Sequence, residues 1–269
     1  MSNNIVIIGG GVMGETMTSS LISAQTYKPS EITIVDLHLP RLKDLHRRLK
    51  INVSSDISIV AEANTIIVAV KPQDSQVVLE LLGKSITKQS LLISIMAGVS
   101  LSTLKKHTKH SRTVRSMPNT PAQLQEGMTV WIATNQVSVK QKNDVRKIFA
   151  SFGKQLEVKK EDLINVATAI SGSGPAYVFA FSEYLIDAGQ KLGLTKEQST
   201  LLVKQTLRGS ALLLDQSEDD AVTLRKKVTS KKGTTDAALK VFRSERIGLR
   251  VYKGIKAAYL RAKELSQIF

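Results

Sequence analysis

The stretch VIIGGGVMG, Val6 to Gly14, decides how the first half of this chain is read. It is a β-rich run that ends in glycines, with Gly9, Gly11 and Gly14 in the spacing G-x-G-x-x-G, and it opens a helical pattern. In that context each glycine has a physical task. Gly9 permits a tight turn after the strand, Gly11 lets the backbone approach a pyrophosphate, and Gly14 allows close helix–strand packing. A pyrophosphate would sit on the helix start, against the N–H groups around Val12 and Met13. The competing reading is a glycine-rich turn with no ligand.

Working outward, short apolar runs alternate with helical patterns as far as about residue 160. NIVIIG (4–9), EITIVD (31–36), NTIIVAV (64–70) and SLLISIM (90–96) read as strands. RTVRSM, MTVWIAT and QLEVK are further candidates. Residues 14–25, 39–50 and 138–151 have helical spacing. Strands alternating with helices predict a Rossmann-type, doubly wound parallel sheet. After the polar VKKEDL near 158–163 the character changes, and no convincing strand remains. Helical patterns cover roughly 175–192, 195–216, 218–227, 235–244 and 247–266. The expected division is a dinucleotide-binding domain, 1–162, and an all-helical domain, 163–269. Several of these helices carry apolar stripes with little to cover them, which predicts packing on a second subunit.

Composition narrows the chemistry. With 269 residues and 42% hydrophobic content the chain can bury a sizeable core. There is no cysteine, so disulfides and thiolate chemistry are excluded, and the four histidines form no zinc-binding pair. No metal site is expected. The net charge of +15 is spread along the chain, with 21 basic and 13 acidic residues up to Asp162 and 17 and 10 after it. Aromatic residues are only 4%, too few for a base-stacking surface, so nucleic acid is not an expected partner. No apolar run approaches the length of a membrane span and no basic leader precedes the first strand, so a cytoplasmic protein without a membrane partner is expected.

Further candidates for the nucleotide site lie at strand ends, where ligands bind in such sheets. Asp36 ends the second strand and can accept hydrogen bonds from ribose hydroxyls, or serve as a helix cap. His38 and Arg41 lie nearby. Val70, Lys71 and Pro72 end the third apolar run. Ala97 and Gly98 end the next, where Gly98 suits close approach of the nicotinamide. Asn119, in the rigid MPNTP turn (117–121), is a candidate for the carboxamide or ribose. Each could also be turn chemistry alone.

Together, IGGGVMGE, AVKP, MAGV, VRSMPNTPAQLQEG, SGSGPAYVF, AGQKLGL and VTSKKGTTDAAL resemble pyrroline-5-carboxylate reductases, in order and spacing, across nearly the whole chain. The resemblance implies reduction of the cyclic imine 1-pyrroline-5-carboxylate to proline by NAD(P)H. It implies a homodimer or larger homo-oligomer, with an active site between one subunit's cofactor domain and helices of its mate. By resemblance Ser171, Ser173, Ser230, Gly233, Thr234 and Thr235 bind substrate. Thr235 lies beside the ring nitrogen as a proton partner, and Glu218 stands near that nitrogen; Ser-Glu-Asp-Asp is also a good helix start. Three departures matter. Asp36 stands where NADPH-using members carry a Ser or an Asn-Arg arrangement, and Asp56 where many have Asn beside the phosphate. Both carboxylates lean toward NADH. Lys231-Lys232 replaces Pro-Gly or Lys-Gly. The rival reading is a catalytically weak dinucleotide-binding homologue with a regulatory role.

Overall fold

A computed structural model describes residues 4–268, which fold as two compact units. The first unit holds residues up to Ser173 together with those from Ala257 onward, and the second spans Gly174–Lys256. The change in sequence character near 158–163 therefore does not coincide with the division into compact units.

The first unit contains β1 (Ile5–Ile8), α1 (Val12–Ser23), β2 (Ile32–Val35), α2 (Leu39–Leu49), β3 (Asn52–Ser54), β4 (Thr65–Val68) and α3 (Ser75–Ser85). It continues through β5 (Leu91–Ser94), α4 (Leu101–Thr108), β6 (Thr113–Met117), β7 (Gly127–Ala133), α5 (Val139–Ala150), β8 (Gly153–Glu157) and α6 (Asp162–Ala167). A π-helical turn, Thr168–Gly172, follows α6. The sheet order is β3-β2-β1-β4-β5-β6-β7-β8.

The sheet is a sandwich filling because its strands are apolar on both faces. All four residues of β1, β4 and β5 are buried. Side chains alternate between faces, so Ile5 and Ile7 join Met17 and Leu21 of α1, with Phe149 of α5 in the same cluster. Val6 and Ile8 join Leu79 and Leu82 of α3 and Leu104 of α4 on the other. Each such residue contributes about 1.5–3 kcal/mol by leaving water.

The expected parallel sheet needs one correction. β7 pairs antiparallel with β6, through Met117↔Val130, and β8 runs parallel to β7. Only residues 118–126 join β6 to β7, too few for the crossover helix a parallel return needs. The sequence reading also lacks β3, an edge strand of three residues, and the helices α3, α4 and α6.

The second unit is helical: α7 (Gly174–Lys191), α8 (Lys196–Gln216), α9 (Ala221–Lys227), α10 (Thr234–Ser244) and the start of α11 (Ile247–Ile268). Phe179, Tyr184, Leu201 and Leu202 are more than half exposed. The expected helices match these five within a few residues.

Candidate active site

The glycine motif builds a cradle at the carboxyl end of β1. Gly9 has φ 107°, and its N–H donates to the Val35 carbonyl at 2.8 Å. A Cβ there would lie 2.7 Å from the Ala69 carbonyl oxygen. Gly14 touches backbone more closely still, since a Cβ would stand 2.0 Å from the Gly9 oxygen. Gly11 is different. It is the N-cap of α1, no side chain caps that helix, and nothing lies within 4 Å of where its Cβ would be. The first N–H groups of α1 thus face open space, with the positive end of the helix dipole behind them. Those features fit a dinucleotide pyrophosphate. Val12 is exposed beside them, whereas the Met13 side chain packs into the core, leaving only its backbone for a ligand.

Asp36 is a clamp as well as a wall. Its Oδ2 accepts from the Gly10 N–H at 2.7 Å and its Oδ1 from the His38 N–H at 2.9 Å. Each oxygen keeps a lone pair for a ribose hydroxyl. Arg41, a neighbour in sequence, is already committed. Its Nε donates to the Gly10 carbonyl at 2.8 Å and its guanidinium pairs with Glu15. Burial pushes the Glu15 carboxyl up, but Arg48 and Arg41 outweigh it and hold the group below the usual carboxylate range.

A pocket of about 530 Å³ lies beyond these residues, at the ends of β1, β2 and β4. It gathers Gly9, Gly11, Asp36, Asp56, Val70 and Lys71, as expected from the sequence. Asp56 accepts from the Ser58 hydroxyl at 2.6 Å and the Ser58 N–H at 2.8 Å, which keep its carboxyl below the usual range. Asp74 adds a third carboxylate to the lining, against one lysine. Pro72 opens the short turn after Lys71. Val77 and Leu81 of α3 complete an apolar wall that the sequence reading missed. Their i, i+4 spacing on a helix was the available signal.

Two residues expected at the cofactor also hold the protein together. Gly98 (φ 75°) is buried, and a Cβ on it would lie 2.8 Å from Leu265 Cβ. Ala97 beside it remains partly exposed. Asn119 spends both ends of its amide on the protein. Nδ2 donates to the Ser171 carbonyl at 3.1 Å, and Oδ1 accepts from the Met128 N–H at 2.8 Å. The MPNTP and SGSG segments are therefore tied together. A Cβ on Gly172 would stand 2.9 Å from Met117 Cε, and Ser171 Oγ donates to the Ala167 carbonyl at 3.0 Å. The Ser173 N–H closes the π turn on Thr168 at 2.8 Å.

In the second unit, Ser230 to Gly233 form a turn closed by the Gly233 N–H on the Ser230 carbonyl at 3.0 Å. Gly233 then serves as the N-cap of α10, again without a side-chain cap, so Thr234 and Thr235 begin a helix with unclaimed N–H groups. A Cβ on Gly233 would sit 2.3 Å from Ser230 Oγ, so the glycine makes room for that hydroxyl. Asp236 Oδ2 is occupied by Lys240 at 3.0 Å and by the Lys232 N–H at 3.2 Å. Lys232 has φ 62°, the left-handed conformation expected of a glycine. Glu218 is exposed, on the segment between α8 and α9.

Residues 161–265 match the family model for pyrroline-5-carboxylate reductase dimerisation, and residues 4–98 match that for NADP oxidoreductase, coenzyme F420-dependent. The chain is 38% identical to the pyrroline-5-carboxylate reductase of Synechocystis sp. over 99% of its own length and all of the relative's. It belongs to the pyrroline-5-carboxylate reductase family. The Pseudomonas aeruginosa relative is 34% identical, covering 98% of this chain and 97% of the relative. Among solved structures, a Coxiella burnetii pyrroline-5-carboxylate reductase superposes with a TM-score of 0.92 at 37% identity, covering 99% of both chains. A Plasmodium falciparum pyrroline carboxylate reductase, solved with NADP bound, gives 0.87 at 31%, again covering 99% of both.

The exposed apolar residues of α7 and α8 fall inside the dimerisation match. By composition alone the helical stretch Asp162–Lys191, at a mean hydropathy of 1.2, is apolar enough to cross a membrane. Ser182, Glu183 and Asp187 interrupt it.

Proposed function

We propose that the chain reduces 1-pyrroline-5-carboxylate to proline, consuming one NAD(P)H and one proton per imine and releasing NAD(P)⁺. The observation that carries this reading is that each unit holds a helix start without a side-chain cap. That of α1 suits a pyrophosphate, and that of α10, flanked by hydroxyls, suits a small carboxylate. When bound, the nicotinamide supplies the hydride. The protein's own share is to hold, orient and keep the imine protonated. In this reading the N–H groups of Thr234 and Thr235, with Ser230 Oγ, fix the substrate carboxylate. Thr235 Oγ faces the ring nitrogen, and the Glu218 carboxylate favours its protonated form. Ser171 and Ser173 complete the substrate set. Imine-dependent oxidation of NADH at neutral pH, or proline-dependent reduction of NAD⁺ at high pH, tests it. A chain that binds dinucleotide but shows neither reaction would be the regulatory homologue instead.

The cofactor is NAD(P)H, and within that pair we infer a preference for NADH. Asp36 and Asp56 line the pocket, Asp56 stays ionised, and Arg41 is held by Gly10 and Glu15. A 2′-phosphate would meet carboxylates rather than a guanidinium. The expected ratio of kcat/KM for NADH over NADPH is on the order of 10, corresponding to roughly 1.4 kcal/mol. A preference for NADPH would end this inference. Asp56→Asn is expected to narrow the ratio.

The protein is a homo-oligomer. A dimer formed through the apolar faces of α7 and α8, in the cytoplasm, is the arrangement we favour. Covering those faces with a second copy suits the charged residues that interrupt them better than lipid does.

Lys232 supplies another test. A left-handed lysine costs about 1 kcal/mol, and the extra freedom of glycine in the unfolded chain returns part of that. Lys232→Gly is expected to leave activity equal or improved, with a melting temperature unchanged or a few degrees higher. Collapse of activity would mean that the lysine itself contacts ligand.

A further inference from the structure

The turn after β5 is held at two points by residues remote in sequence, and both lead to one buried arginine. Leu265 presses on Gly98 from one side. Three residues after Gly98, the Leu101 N–H at the start of α4 donates to Glu161 Oε1 at 2.8 Å. Arg115 joins the two. It lies on β6 opposite Ser94 of β5. Its Nη1 donates to the same Glu161 oxygen at 2.7 Å. Its Nη2 donates to Asn165 Oδ1 at 2.9 Å and to Oγ of Ser266, the neighbour of Leu265, at 3.2 Å.

Arg115 is 2% exposed, and its Nε meets no hydrogen-bond acceptor among the described residues. A buried guanidinium is costly, and apolar residues of similar volume often match or exceed its stability. Stability alone therefore accounts poorly for this side chain. Its planar fork does something an apolar residue cannot, because it fixes α6, the end of α11 and the start of α4 at defined angles.

The turn it braces has a place in the reaction. The adenosine-side pocket lies over β1, β2 and β4. A dinucleotide in such a sheet crosses where the strand order reverses, between β1 and β4. Its second half then runs toward the ends of β5 and β6, where Ala97 is partly exposed. We propose that Arg115 is a positioning residue, which through Glu161 and Leu265 fixes the Ala97–Gly98 turn as the support for the nicotinamide half of the cofactor. This rests on the dinucleotide reading above.

The test compares two probes, NADH followed by fluorescence and ADP-ribose, which lacks the nicotinamide, followed by calorimetry. Arg115→Met is expected to weaken NADH binding roughly tenfold while ADP-ribose changes less than about twofold. Arg115→Lys, able to keep one bond to Glu161, recovers part of the loss. Leu265→Ala moves NADH affinity in the same direction, and combining it with Arg115→Met gives less than the product of the single effects. Equal weakening of both probes, or of neither, overturns the proposal. Should Arg115→Met fail to fold, Leu265→Ala and Ser266→Ala carry the same comparison. A wild-type chain that binds NADH without reducing the imine sinks the reductase reading and leaves this comparison decisive, whereas one that binds neither probe overturns both.

Discussion

Gly14→Ala is expected to abolish measurable dinucleotide binding and to lower the melting temperature by roughly 6–12 °C, the equivalent of about 3 kcal/mol for a chain of this size. The new methyl would stand 2.0 Å from the Gly9 carbonyl oxygen, which is backbone and cannot rotate away. Gly9 cannot retreat either. Its N–H is tied to Val35, and Ala69 closes its other side. The helix must move instead, and α1 is anchored by the fully buried Met17 and Leu21. Any shift pulls those side chains from the core and carries the first N–H groups of α1 away from the pyrophosphate. Gly11→Ala is the informative contrast. Nothing lies near its Cβ position, so the fold should be unaffected and the melting temperature unchanged. The methyl would instead occupy ligand space, with an expected loss of about tenfold in NADH affinity. Thermal scans and NADH fluorescence on both variants check the pair. Wild-type stability and affinity in Gly14→Ala would show that the close approach is not a constraint.

The legible part of the molecule is the part governed by local rules. Gly9, Gly11 and Gly14 announce themselves because a turn, an open helix start and a close contact each demand a missing side chain. The apolar runs of β1, β4 and β5 are plain because both faces are covered. β3 was missed because it is three residues long, with one apolar side chain, Val53, between Asn52 and Ser54, and pairs only with the edge of β2. The reversal at β7 depends on the length of a connection, which periodicity does not weigh. The structural partners of two expected cofactor residues were not legible for one reason. Gly98 and Asn119 sit at strand ends, where a ligand is the natural expectation, yet their partners are Leu265, Ser171 and Met128. Such partners belong to tertiary structure and leave no mark on the local sequence. Arg115 is the extreme case. In VRSMPNTP it reads as one more basic residue, and only the fold shows it buried between Glu161, Asn165 and Ser266. Lys232 is the opposite case: the glycine that the resembling family carries at that position already pointed to the left-handed backbone found there.

Glu218→Gln is expected to reduce kcat/KM about tenfold or more near pH 8.5 and to change it little near pH 6. The structural duties of its segment belong to its neighbours. Asp220 caps α9 by accepting from the Thr223 N–H at 2.8 Å. The Asp219 N–H donates to Ser217 Oγ at 3.1 Å, and the Asp219 carboxylate pairs with Lys227. Among the described residues Glu218 has no hydrogen-bond or ion-pair partner, so exchanging it for an isosteric amide should leave the melting temperature alone. The kinetic effect follows from sign. The reactive imine is the protonated one, and a carboxylate within about 4–6 Å raises its pKa by about one unit or more. Without that charge the proton leaves at lower pH, so the alkaline limb of the profile moves toward acid. One unit is about 1.4 kcal/mol, hence the tenfold loss above the limb and near-equality below it. Glu218→Asp should fall between. A loss that is uniform across pH would assign Glu218 to binding rather than to charge, and an unchanged profile would return it to the turn.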